Sequence, residues 1–172
     1  ASMGLFLAQL ALNLTYESIV LPTISFAATL NAVLMANNIP VYCDVDHHGL
    51  IDLRNLNINL KENQIKALMY VNLFGNTVDY DRLELMAKFF NNDKVTIIED
   101  AAQSFGAYYK GVPSGKLGDI SVLSFDPTKN LPNYGSGGMV LTDNRAIFFA
   151  IRDLARNGKE NNHDFIGTNS QM

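Results

Sequence analysis

Apolar positions along this chain come in short blocks. Residues 18–21, 40–45, 65–71 and 95–99 are rich in β-branched or other apolar side chains and mostly lack in/out alternation, the pattern of strands buried on both faces. Stretches with helical spacing lie between them. Residues 27–37 form the first, closed by Asn37 and Asn38, a residue type that suits a helix C-terminus. Residues 78–90 form the second, with Leu83, Met86, Ala87 and Phe90 on one face and Asp79 and Asp81 in the first turn, where the macrodipole favours carboxylates. A strand over 138–142 then runs into a helix over 146–156. Strand and helix alternating at this spacing predict an α/β fold, a mainly parallel sheet flanked by helices.

The first 43 residues carry a single charge, Glu17, so a membrane or signal segment has to be weighed. No Lys or Arg precedes the apolar run 5–14, Gln9 and Asn13 interrupt it, and the next run contains Pro22, Asn31, Asn37, Asn38 and Pro40. Such interruptions argue against a spanning helix, and both runs are expected to be buried helices and strands. At 172 residues, 48% hydrophobic and 17% charged, the chain suits one folded domain, and no repeat or linker divides it. A net charge of -4 supplies no basic field for nucleic acid or for an anionic membrane surface, so neither is expected as a partner. Cys43 is the one cysteine; it permits no intramolecular disulfide and no cysteine zinc cluster, which points to a reducing compartment, the cytoplasm.

Open parallel sheets put their chemistry beyond the carboxyl ends of the strands. Asp44, Asp46, Asp100 and Ser124 stand at such ends, with Lys129 five residues after Ser124 in a loop that runs into Gly135-Ser136-Gly137-Gly138. Two nucleotide motifs fail on detail. The stretch from Gly111 to Leu117 is one residue short of a phosphate-binding loop and carries Leu117 where a metal-binding hydroxyl is needed; the glycines at 135–138 lack a third glycine at the required spacing and precede a strand. Asp44, Asp46, His47 and His48 look like a metal cluster, but adjacent histidines at a strand end should point apart and a turn at His48-Gly49 explains them. No metal is expected, and His163 in its polar stretch is expected to be solvated.

Asp100, Ser124 and Lys129 are more informative. Lys129 is hemmed by Pro127, Phe125, Leu131 and Pro132, and a partly desolvated amine is a nucleophile toward a carbonyl. Pyridoxal phosphate needs such a lysine, a carboxylate for its ring nitrogen, and hydroxyls with backbone N–H groups for its phosphate. From the residues alone, this reading and an α/β domain without that chemistry both stay open.

Larger motifs go further. They are Pro22-Thr23-Ile24-Ser25-Phe26-Ala27-Ala28-Thr29, Val71-Asn72-Leu73-Phe74-Gly75, Glu99-Asp100-Ala101-Ala102-Gln103 and Ser124-Phe125-Asp126-Pro127-Thr128-Lys129-Asn130. Through them the chain resembles the DegT/DnrJ/StrS family of pyridoxal-phosphate-dependent sugar aminotransferases. The resemblance implies the large domain of the type I PLP-dependent transferase fold over residues 1–172, without the segment that normally precedes it and without the smaller C-terminal domain.

It also implies roles. Lys129 would bond to the aldehyde of pyridoxal 5'-phosphate and then move a proton as general acid and base, and Asp100 would partner the pyridinium nitrogen. Gln103 would contact the phenolic oxygen or the ring face, and Phe26 would stack on the ring. Ser124 would hold the phosphate together with backbone N–H groups at Leu5 and Phe6, at a helix N-terminus. Asn169 would reach the neighbouring subunit's site in a homodimer. Leu5 departs from the small hydroxyl residue the family carries after its first glycine, and Gln171 from a common arginine.

The implied activity is transfer of an amino group from glutamate or a similar donor to the keto group of a nucleotide-linked sugar, in polysaccharide or antibiotic sugar biosynthesis. Lys129 favours it over the related dehydratases, which carry histidine there. The alternative is a non-catalytic relative that keeps the fold as a binding or regulatory module.

Overall fold

The computed structural model describes residues 1–56, 64–89 and 95–158; Phe90, His163, Asn169 and Gln171 lie outside them. Helix α1 (Ser2–Ala11) leads to strand β1 (Ser18–Pro22), helix α2 (Ala27–Met35) and strands β2 (Ile39–Cys43) and β3 (Ile65–Val71). A 3-10 turn (Leu73–Gly75), helix α3 (Tyr80–Phe89) and strand β4 (Thr96–Asp100) follow. The hairpin strands β5 (Tyr108–Tyr109) and β6 (Val112–Pro113), then β7 (Ile120–Ser124), β8 (Gly138–Leu141) and helix α4 (Arg145–Ala155), complete the described chain.

The main sheet runs β2-β1-β3-β4-β7-β8. Strands β2, β1, β3, β4 and β7 are mutually parallel, as the unalternating runs predicted, while β8 returns antiparallel to β7 with Ser124 opposite Gly138. Parallel neighbours need a crossover. The link from β7 to β8 contains no helix, so the chain doubles back.

The lack of alternation has its cause in two cores. Val20, Leu68, Tyr70 and Ile97 pack on one face with Leu83 and Ala87 of α3. Their sequence neighbours Ile19, Ala67, Met69 and Ile98 pack on the other with Leu5 and Ala8 of α1 and Ala32 and Val33 of α2. Each fully buried Val, Leu, Ile or Met among them contributes about 1.5–3 kcal/mol.

The polar residues that interrupt the apolar runs meet one another. Asn38 Nδ2 donates to Gln9 Oε1 at 3.0 Å and to the Leu14 carbonyl at 3.1 Å, and its Oδ1 accepts the Glu17 N–H at 3.0 Å. This pins the end of α1 to the end of α2. Both helices stop the same way: Asn13 and Asn37 adopt φ of 54° and 57°, and the next residue's N–H returns to Gln9 O and Val33 O at 3.0 Å, a Schellman closure.

Asp46 is occupied by its turn. Its Oδ1 accepts the N–H groups of His48 at 2.8 Å and Leu50 at 3.0 Å. The two histidine rings do not point apart as expected; their centroids lie 3.8 Å from each other, because they sit in this turn and not in an extended strand. Among the described residues no helix is long and apolar enough to cross a membrane.

Candidate active site

Asp100 is the last residue of β4 and is 4% exposed. Its Oδ2 accepts the Thr29 hydroxyl at 2.9 Å and its Oδ1 the Ala102 N–H at 3.1 Å. Burial pushes this carboxyl above the usual carboxylate range, while those two hydrogen bonds and the positive charge of Lys129 pull it back. Thr29 stands in the first turn of α2, three residues after Phe26, whose carbonyl accepts the Thr29 N–H at 3.0 Å. The start of α2 thus presents a buried hydroxyl to Asp100 and a ring, Phe26, that is 66% exposed.

Lys129 is set by a turn. The Asp126 carbonyl accepts the Lys129 N–H at 2.9 Å, and Asp126 Oδ1 accepts the N–H and the hydroxyl of Thr128 at 3.0 and 2.7 Å. Those bonds hold the Asp126 carboxyl below its usual range, and Pro127 presets the backbone angle at the second position of the turn. Phe125 N–H donates to the Gly137 carbonyl, and Asn133 N–H to the Phe125 carbonyl, both at 2.9 Å, which closes the loop's base. Lys129 Nζ lies 5.7 Å from the centroid of Phe26. The fold therefore brings together Asp100, Lys129 and Phe26 from three separate strand ends.

Leu5 and Phe6 both lie inside α1. Leu5 is 0% exposed, its side chain is in the core, and its N–H donates to the Ala1 carbonyl at 2.9 Å. Phe6 lies one residue further into the helix and packs against the same core.

This helix start abuts the β7–β8 pair. A Cβ on Gly138 would fall 2.7 Å from Ala1 N and 2.9 Å from the Leu123 carbonyl, so only glycine admits the approach. Ser124, 5% exposed, is opposite Gly138 and accepts the Asp126 N–H at 3.4 Å. Gln103 lies on the loop after Asp100, its Oε1 accepting the Phe74 N–H at 2.9 Å. Asn130 Nδ2 donates to the Phe105 carbonyl at 3.4 Å, tying the lysine loop to the glutamine loop. A cavity of about 520 Å³ between α1, β8 and α4 shares Gly137 and Gly138 with this region but is not lined by Asp100 or Lys129.

The site thus joins a half-buried lysine, a buried carboxylate, an exposed ring and the start of a helix packed by the strand end that carries a serine. The model of the DegT/DnrJ/EryC1/StrS aminotransferase family matches residues 1–172. The chain belongs to that family.

Its relatives in the family include the UDP-2-acetamido-2-deoxy-3-oxo-D-glucuronate aminotransferase of Pseudomonas aeruginosa, 35% identical over 98% of this chain and 47% of the relative. Among solved structures, S. venezuelae DesV superposes with a TM-score of 0.91 at 30% identity, covering 99% of this chain and 46% of that one. NtdA from Bacillus subtilis, solved with bound cofactor PMP, gives a TM-score of 0.88 at 29% identity over 99% of this chain and 39% of that one. The fold is that of the type I PLP-dependent aminotransferases. The chain spans about half the length of the curated relatives it matches.

Proposed function

We propose that residues 1–172 are the pyridoxal-phosphate-binding large domain of an aminotransferase that moves an amino group from glutamate, or a similar donor, to the keto group of a nucleotide-linked sugar. The observation that carries this reading is Asp100. A carboxylate buried at the end of β4, held by Thr29 and Ala102 and facing the charge of Lys129, is arranged to meet a cationic ring nitrogen. Burial alone would leave that charge uncompensated.

The residues fit the cofactor. Ser124 and backbone N–H groups at the start of α1, by Leu5 and Phe6, would bind its phosphate, and Gly138 leaves room for that helix start. Phe26 would cover the ring. Gln103 would donate from Nε2, since its Oε1 is taken by Phe74. Bound pyridoxal phosphate supplies an electron sink that stabilises negative charge on the substrate carbon. Asp100 keeps the ring nitrogen protonated, and Lys129 Nζ takes and returns the proton that moves during transfer.

The named aminotransferases of nucleotide sugars among the relatives support this reading over a non-catalytic binding module, as does the presence of Lys129. The expected setting is cytoplasmic synthesis of polysaccharide or antibiotic sugars by a homodimer, with Asn169 contributing to the neighbouring site. A panel of nucleotide-linked keto-sugars, assayed with glutamate or glutamine in the presence of pyridoxal phosphate, tests it. The expected result is amination of at least one sugar. Cofactor uptake with no turnover on any of them would support the binding module instead.

A further inference from the structure

Glu99 precedes Asp100 on β4 and therefore faces the other side of the sheet. It is 0% exposed, yet its carboxylate is fully engaged. Oε1 accepts Asn72 Nδ2 at 2.9 Å, Ser114 Oγ at 2.7 Å and the Gly115 N–H at 3.0 Å. Oε2 accepts the N–H groups of Gly115 and Leu117 at 3.0 Å and Ser121 Oγ at 2.7 Å. A carboxylate this deep is costly unless every lone pair is used. Here it gathers the end of β3, the segment after the β5–β6 hairpin and β7 around one strand.

Asn72 carries that anchor into the site. Its N–H donates to the Asp100 carbonyl at 3.2 Å, its Nδ2 also reaches Ser114 Oγ at 3.0 Å, and its Oδ1 accepts the Val78 N–H at 3.2 Å. The last bond clamps both ends of the turn that holds Phe74. Phe74 has φ 56° and ψ 20°, a left-handed conformation that is unfavourable for a bulky side chain. Among the described non-glycine residues Asn13, Asn37 and Asn157 take a positive φ where helices end and Lys110 where the hairpin turns; Tyr16 and Phe74 do neither. What the conformation achieves at Phe74 is the direction of its N–H, which donates to Gln103 Oε1 at 2.9 Å. A backbone N–H donates and never accepts, so the Gln103 carboxamide is fixed with its oxygen spent and its Nε2 left as a donor.

We propose that Glu99 and Asn72 are positioning residues of the cofactor site, acting through the strained Phe74 turn to hold Gln103 Nε2 as the donor to the cofactor's phenolic oxygen. The proposal rests on the reading of the site as a pyridoxal phosphate site. A donor to a phenolate favours its ionised form, and losing that donor raises the pH at which the phenol ionises.

The test is the pH midpoint of the bound cofactor's visible absorbance, with cofactor affinity measured alongside. Asn72→Ala is expected to raise the midpoint by about one unit and weaken cofactor binding roughly tenfold, as Gln103→Ala does. The double variant is expected to add nothing beyond either single one. Should Asn72→Ala fail to fold, Asn72→Ser, which also cannot span Glu99 and Val78 together, is expected to give the same shift. A folded Asn72 variant with the wild-type midpoint and affinity, or effects that add in the double variant, would overturn the proposal. Wild-type protein that takes up no cofactor would overturn the functional reading and this proposal together, and that result is read before any variant is made.

Discussion

At the scale of single residues, Asp100 has opposite effects on stability and on chemistry. Its carboxyl is held above the usual range chiefly by burial, so the folded state binds this proton more tightly than the unfolded chain does. Stability contributed by the protonated form is therefore lost as pH rises from 3.8, the ordinary value, through the raised folded value. Asp100→Asn has no charge to desolvate. In the cofactor-free protein it is expected to melt a few degrees above wild type at neutral pH, with the difference disappearing below pH 3.8, while turnover with cofactor falls by orders of magnitude. Thermal melts at the two pH values and a rate assay check this; near-normal turnover, or a lower melting point at neutral pH, would remove the assigned role.

That Asp100 and Lys129 both lie beyond the carboxyl ends of parallel strands was legible in the sequence, because Asp100 closes one apolar run and Lys129 follows another by five residues. Thr29 was not. Its role exists only through a contact 71 positions away in sequence, and a threonine near the start of an apolar helix has no unique meaning by itself. The burial of the Leu5 side chain and the bond from its N–H to the Ala1 carbonyl were not legible either, because helix ends are the least certain part of a sequence pattern.

At the scale of elements, the helices and the unalternating strands followed from their apolar spacing, within one or two residues at most ends. The antiparallel return of β8 did not, since it depends on the path of the lysine loop. Gly138 tests the junction that this return creates. Gly138→Ala must displace either the α1 start or the Leu123 backbone, with contacts of 2.7 and 2.9 Å to relieve. It is expected to weaken pyridoxal phosphate binding at least tenfold with little change in helix content, as read by fluorescence titration and circular dichroism; unchanged affinity would mean that α1 does not hold the phosphate.

Asn38 tests a junction that is purely structural. Asn38→Ala leaves Gln9 Oε1, the Leu14 carbonyl and the Glu17 N–H without their partner. A loss of about 1–3 kcal/mol in stability is expected, measured by denaturant unfolding, with the cofactor's absorbance unchanged in the folded variant. A shift in that absorbance would show that the α1–α2 clamp reaches the site.

At the scale of the whole molecule, a chain with 17% charged residues displays large apolar groups on the loops beyond the strand ends. Phe26, Phe74, Phe105, Leu131 and Tyr134 are all exposed. Such surface is normally covered, and a twofold partner is the simplest symmetric cover. Sedimentation equilibrium is expected to show a homodimer for the full-length protein and aggregation for residues 1–172 expressed alone; a full-length monomer that still transaminates would rule out a shared site.

The central claim is that Lys129 binds pyridoxal phosphate covalently, and reduction of the cofactor-loaded protein with borohydride followed by peptide mapping tests it most directly. The account predicts a single cofactor adduct on the peptide containing Lys129, absent from Lys129→Ala. An adduct on Lys110, Lys116 or another lysine, or no adduct at all, would contradict it.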